Sequence, residues 1–263
     1  MRAARPTVLV ALAAGFALAT GSIALAQQTR LVFEASADNG ANWSTITDPP
    51  PGTVVQVRVR AEFIPGNSGL TTMGLAGLTF QPVVTGYSSS EAVAPLSANG
   101  TGVSNESGQF GRLLPFAVAG QGPTSLSGTL THHVDTGNTL RFAGSRATTM
   151  TANLSWGVAI VQNPRFITNP PESYSSTSSP LVFKFGFTLG SGSALHIATT
   201  PLESILNARA RWYTSAEGAF IDAPITQDAI VPAIIGVPTP GSLGVLALAG
   251  LMATRRRSRT THR

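Results

Sequence analysis

An all-β fold, an antiparallel β-sandwich or jelly-roll-like domain over residues 27–236, is predicted by three observations. Hydrophobic residues alternate with period two, turn-forming clusters separate the alternating runs, and no amphipathic helical pattern intervenes. In Thr53–Phe63, Val55, Val57, Val59, Ala61 and Phe63 fall on one side and Gln56, Arg58, Arg60 and Glu62 on the other, as a half-buried strand requires. Thr149–Ile160 repeats the rule with Met150, Ala152, Leu154, Trp156, Val158 and Ile160 inward, and Leu181–Leu189 aligns Leu181, Phe183, Phe185, Phe187 and Leu189. Leu206, Ala208, Ala210 and Trp212 alternate with Asn207, Arg209, Arg211 and Tyr213. Further strands are expected at Leu31–Ala35, Leu75–Gln81, Leu126–Val134, Leu140–Ala143 and Leu195–Thr199, making about eight to ten in one domain. Trp156 and Phe185 are the expected core anchors.

The connections follow from turn chemistry. Pro49-Pro50-Pro51-Gly52, Pro65-Gly66-Asn67, Gly137-Asn138 and Gly190-Ser191-Gly192-Ser193 combine residues with a preset φ and residues that tolerate positive φ. Residues 36–43, SADNGANW, match the Asp-box pattern Ser-x-Asp-x-Gly-x-x-Trp. That pattern implies a β-hairpin whose Ser and Asp side chains brace the turn. Sialidases and other propellers carry several copies, so a single copy reads as a structural hairpin.

Composition narrows the function classes. Hydrophobic residues make up 43% and charged residues 11%, which fits a packed core and not a disordered polymer. With no cysteine, disulfides, thiolate catalysis and Cys-ligated zinc are excluded. The formal charge of +5 comes from the ends. Arg2, Arg5, Arg255, Arg256, Arg257, Arg259 and Arg263 account for seven of 17 basic residues, leaving ten against 12 acidic ones between them. Without a basic run there is no continuous surface to neutralise phosphates, and nucleic acid is set aside as a partner.

Both ends have their own logic. Residues 1–26 present two arginines, an apolar run and the small-residue ending Ala24-Leu25-Ala26, the tripartite plan of a secretory signal cut before Gln27 by signal peptidase. In residues 237–263, Pro238, Thr239 and Pro240 precede an apolar helix over 241–254, and Arg255, Arg256 and Arg257 open the basic end 255–263. A full crossing takes about 20 apolar residues, so this segment suits transient residence in the inner membrane with its arginines inside.

Proline pair, short apolar helix and arginine cluster together resemble the PEP-CTERM sorting domain, with Pro-Thr-Pro in place of Pro-Glu-Pro. The resemblance implies an exosortase-like processing enzyme as partner and delivery to the outer surface or extracellular matrix. Separately, PPPGTVVQVRVRAEF and the apolar GLAGLTFQP loosely resemble cohesin-like and other carbohydrate-associated sandwiches.

Catalytic and cofactor motifs are missing: the sequence has no Gly-x-Ser-x-Gly elbow, HExxH helix, phosphate loop or dinucleotide fingerprint. No cofactor is expected and no metal. His132 and His133 are strand neighbours that point to opposite faces, His132 toward the interior and His133 toward solvent. The residues suited to a ligand are aromatics off the core faces with a charged neighbour: Trp43 beside its turn, and Arg165, Phe166 and Tyr174 in the long loop Asn163–Pro180. The reading is an exported, noncatalytic structural or adhesive protein. Its alternative is a carbohydrate-binding module or polysaccharide-acting enzyme with extracellular polysaccharide as partner.

Overall fold

The computed structural model describes residues 26–96, 110–116, 129–145, 157–162, 174–191, 194–200 and 209–236. Among them are sixteen strands and two single-turn 3-10 segments. The strands are β1 (Gln28–Ser36), β2 (Ile46–Thr47), β3 (Val54–Ile64), β4 (Leu75–Phe80), β5 (Pro82–Thr85), β6 (Ala92–Val93), β7 (Gly111–Arg112) and β8 (Thr129–Val134). They continue as β9 (Thr139–Ser145), β10 (Val158–Val161), β11 (Leu181–Thr188), β12 (Leu195–Thr199), β13 (Arg209–Tyr213), β14 (Phe220–Asp222), β15 (Ile230–Val231) and β16 (Ala233–Ile235).

One layer has the order β15-β1-β3-β11-β6, with β7 also on β11. The facing layer is split into β10-β4-β13-β14 and β2-β16-β12-β5-β9-β8. The split occurs at Gln81, where β4 runs on into β5 but Pro82 has no backbone N–H to continue a regular ladder. Gln81 is fully buried, and its amide oxygen accepts from the Thr200 hydroxyl at 2.6 Å, so the seam's polar groups are satisfied.

The core fills the space between the layers. Phe33 meets Phe80 with centroids 6.4 Å apart, Phe80 meets Phe183 at 6.3 Å, and Phe142 meets Phe185 at 4.4 Å. The expected facing of β3 holds: Val55, Val57, Val59 and Ala61 are fully buried. On β11, Phe183, Phe185 and Phe187 are fully buried as expected, but Leu181, read as inward, is only half-buried opposite Arg60, because the register shifts between Leu181 and Phe183; on β10, Val158 and Ile160 are inside. Trp156 lies outside the described residues, as do Ala24, Arg165, Phe166, Pro238, Thr239, Pro240 and Arg255–Arg257. No described helix is long and apolar enough to cross a membrane.

Three expectations are corrected. The sandwich is not purely antiparallel, because β1 pairs β15 in parallel and β16 pairs β2 in parallel. The strand count exceeds ten because six strands are two or three residues long, too short for alternation to mark them. Tyr213, assigned to an outward face, is 7% exposed and donates its hydroxyl to the Gln162 carbonyl at 3.0 Å.

Strand registers define two poles. Ser36, Val54 and Thr188 end or begin their strands at one pole, together with Thr85, Thr139 and Leu195 on the facing layer. Gly236 leaves there, its N–H bonded to the Thr47 carbonyl at 3.0 Å. Gln28 opposite Ile64 marks the other pole.

Candidate functional site

The hairpin after β1 is built by its own side chains. Ser36 donates its hydroxyl to Asp38 Oδ1 at 2.7 Å and accepts the Gly40 N–H at 2.9 Å. Asp38 Oδ1 also accepts the Asn42 N–H at 2.9 Å, and Asp38 Oδ2 accepts the Asn42 side-chain amide at 2.6 Å. Asn39 and Gly40 take positive φ, 58° and 87°, which Asn and Gly tolerate best. The Trp43 indole N–H donates to the Gly40 carbonyl at 3.0 Å, and Ala35 bridges Ser44 to close the ladder. The bracing of the turn by Ser36 and Asp38 that the Asp-box pattern implied is present.

This bonding sets the acidity of Asp38. The Ser36 hydroxyl, then the Asn42 backbone N–H and side chain, stabilise the carboxylate and lower its pKa from 3.8 to about 2. A depressed carboxyl favours the folded hairpin above its unfolded pKa, and that contribution is lost as pH falls through about 2. Trp43 fluorescence is therefore expected to hold to about pH 3 and change near pH 2. An Asp38→Asn variant that kept the same transition would contradict the assignment.

Trp43 is half-buried because it folds back on the outer face of the first layer. The Arg58 guanidinium lies 4.3 Å from its ring centroid and the Lys184 ammonium 5.8 Å. Register explains the meeting: Glu34 is opposite Arg58 and Arg58 opposite Lys184, a row across β1, β3 and β11. Glu34 accepts from Arg58 Nε at 2.7 Å and from Arg60 at 3.5 Å, while Arg30 donates to Glu62 at 2.6 Å. Phe110 covers the same strand: its ring is 6.0 Å from the Lys184 ammonium, and a Cβ on Gly186 would sit 2.5 Å from Phe110 Cε1. Lys184 is thereby only 2% exposed on a face that alternation assigns to solvent. The Gln56 side chain is likewise buried on this outer face, its amide donating to Asn39 Oδ1 at 2.7 Å.

Tyr174 is placed differently. Its hydroxyl donates to the Met73 carbonyl at 2.6 Å, at the start of a clasp centred on Gln162. Gln162 Nε2 donates to the Leu75 and Ser175 carbonyls, each at 2.8 Å, and its Oε1 accepts the Ser175 N–H at 3.0 Å. Tyr174 and Trp43 thus lie toward opposite poles, and the structure does not bring them together. Arg165 and Phe166 lie outside the described residues. His132 is opposite Phe142, with rings 6.4 Å apart, and keeps much of its surface exposed on edge strand β8, whereas His133 is opposite Arg141. The expected burial of the pair is corrected: His132 shares the face of Phe142 but lies exposed at the sheet edge, and His133, expected at the surface, is the less exposed of the two. Among the described residues, no group of three or more His, Cys, Asp or Glu is arranged to hold a metal ion. Arg58, Lys184 and Phe110 were not among the sequence candidates; a signal existed only for Arg58 and Lys184, as outward strand positions.

No family model matches the chain, and no curated protein matches it. Among solved structures it is similar to the second type II cohesin module of the ScaA scaffoldin of Acetivibrio cellulolyticus, with TM-score 0.37, 10% identity, and 81% of this chain and 98% of that one covered. It is also similar to a non-cellulosomal cohesin of Archaeoglobus fulgidus, with TM-score 0.30, 10% identity, and 82% and 96% covered. For the cohesin CaCohA2 from Clostridium acetobutylicum the TM-score is 0.31 at 11% identity, with 81% and 90% covered. Likeness this low transfers neither a partner nor a site.

Proposed function

We propose that the chain is an exported, noncatalytic structural or adhesive component of the bacterial cell surface or extracellular matrix. Signal peptidase would release its N-terminus, and an exosortase-like enzyme would process its tail during passage through the inner membrane. The observation that carries the reading is how the two ends meet the domain. Thr29, three residues after Ala26, is fully buried, and β16 ends at Ile235, directly before the proline-marked tail. A signal before β1 and a sorting tail after β16 would each act on the sandwich directly, which supports the reading. Trp43 fits the same reading: its indole packs on Arg58 and braces the hairpin, a role in holding the surface together.

Fractionation of the native host with mass spectrometry tests this. Peptides from 27–236 are expected in the surface or matrix fraction, without peptides containing Leu243–Met252. Recovery of Leu243–Met252 from the mature protein would make the tail a permanent anchor. A glycan array decides between adhesion and sugar recognition, since selective binding lost on Trp43→Ala would replace the structural reading with a carbohydrate-binding one.

A further inference from the structure

The first residues of the domain differ sharply in how they are held. Ala26 is exposed, and Gln27 is half-exposed and precedes β1. Gln28 opens β1 opposite Ile64, and its side-chain oxygen accepts from the Thr226 hydroxyl at 3.1 Å. Thr29 is fully buried: its N–H donates to the Pro224 carbonyl at 2.9 Å, its hydroxyl donates to the Ala223 carbonyl at 2.7 Å, and its hydroxyl oxygen accepts the Trp212 indole N–H at 2.8 Å. Within three residues the chain passes from solvent to core.

We infer that Gln27 is a modification site, closing to pyroglutamate once the signal is removed. The inference rests on the signal-peptide reading, which makes Gln27 the new N-terminal residue. Its freed α-amino nitrogen attacks the Cδ carbonyl of its own side chain. A C–N bond forms, the Cδ–Nε2 bond breaks, and the amide nitrogen departs as ammonia with the proton the amine gives up. The product is a five-membered lactam, and no oxidant, reductant or co-reactant is consumed. The terminal positive charge disappears, and the chain becomes lighter by about 17 Da, the mass of ammonia.

Placement selects Gln27 over its neighbour. Ring closure turns the backbone and side chain of one residue back on themselves, which Gln27 can do outside the ladder. Gln28 would have to leave its pairing with Ile64 and give up the bond from Thr226. The buried Thr29 also blocks trimming past Gln28, so a closed ring at Gln27 completes an N-terminus that aminopeptidases cannot open.

The test uses the full chain, expressed in an exporting Gram-negative host, with the mature protein recovered and its N-terminal peptide sequenced by mass spectrometry. The expected peptide starts at residue 27, about 17 Da below the unmodified mass, with no reactive α-amine. Gln27→Ala is expected to restore a free amine and abolish the loss, whereas Gln28→Ala keeps it. An unmodified Gln27 amine that persists through days of incubation of the purified mature protein at neutral pH would overturn the inference alone. An N-terminus at any other residue would overturn the cut-site assignment and the inference with it.

Discussion

Phe185→Ala is expected to destabilise the protein by about 3–5 kcal/mol, the range for deleting a buried phenylalanine ring. Phe185 is fully buried on β11, between β3 on one side and β6 and β7 on the other. Its ring sits 4.4 Å from Phe142 of the facing layer, 6.2 Å from Phe183 and 6.5 Å from Phe187, so its loss opens a cavity where both layers meet. Backbone pairing on both sides of β11 limits how far the strand can collapse into the gap. A net stability of about 5–15 kcal/mol is usual for a domain, so this one change removes a large part of it. Denaturant unfolding of the mature chain reads the effect. Thr188→Ala, at a half-exposed position on the same strand, should change stability by less than about 0.5 kcal/mol. An unchanged midpoint for Phe185→Ala would mean that β11 faces the other way.

Gln162→Leu is expected to be nearly as damaging by a different route. The side chain is fully buried and close to leucine in volume, so packing changes little while three hydrogen bonds disappear. The buried bond to the Leu75 carbonyl and the part-buried bonds to the Ser175 backbone N–H and C=O are lost, and a buried group left without a partner costs about 1–3 kcal/mol. Residues 174–180 should then loosen from the sandwich and be cut by protease before the rest unfolds. Gly74→Ala reaches the same outcome sterically. Gly74 has φ 117°, and a Cβ there would lie 2.2 Å from the Ser175 carbonyl oxygen. If both variants resisted protease like the parent, Gln162 would not be what holds the loop.

These two sites show what sequence can and cannot reveal. The facing of β3 and β11 could be read directly, because a two-sided strand writes its burial into alternate residues. The Asp-box hairpin and the bracing of its turn by Ser36 and Asp38 could be read because their partners lie within 36–44, although the individual bonds, the Trp43 indole's among them, could not. The clasp could not, since Gln162 meets Leu75 and Ser175, and Tyr213 meets Gln162, across large separations. The same applies to the outer face of the first layer. Alternation correctly turned Lys184 and Gln56 away from the core, but Trp43 and Phe110 covering Lys184 is a tertiary event with no local signature. The short parallel strands β2, β15 and β16 exist because neighbours offer them a register, not because their residues demand one.

The two poles give the domain a direction. On the proposed route, the tail holds the chain at the bilayer through Gly236, which leaves beside the Asp-box hairpin and the turns after Thr85 and Thr188. If the tail holds it so, those turns would lie nearest the lipid headgroups until the tail is cut. The far pole, about nine strand residues or roughly 30 Å away along β1, holds the mature N-terminus, the Pro65–Gly69 turn and the Gln162 clasp. On that route a sandwich standing on its C-terminal end would meet the outside first with its clasp, and would gain a second accessible surface, beside Trp43 and Asp38, only at release.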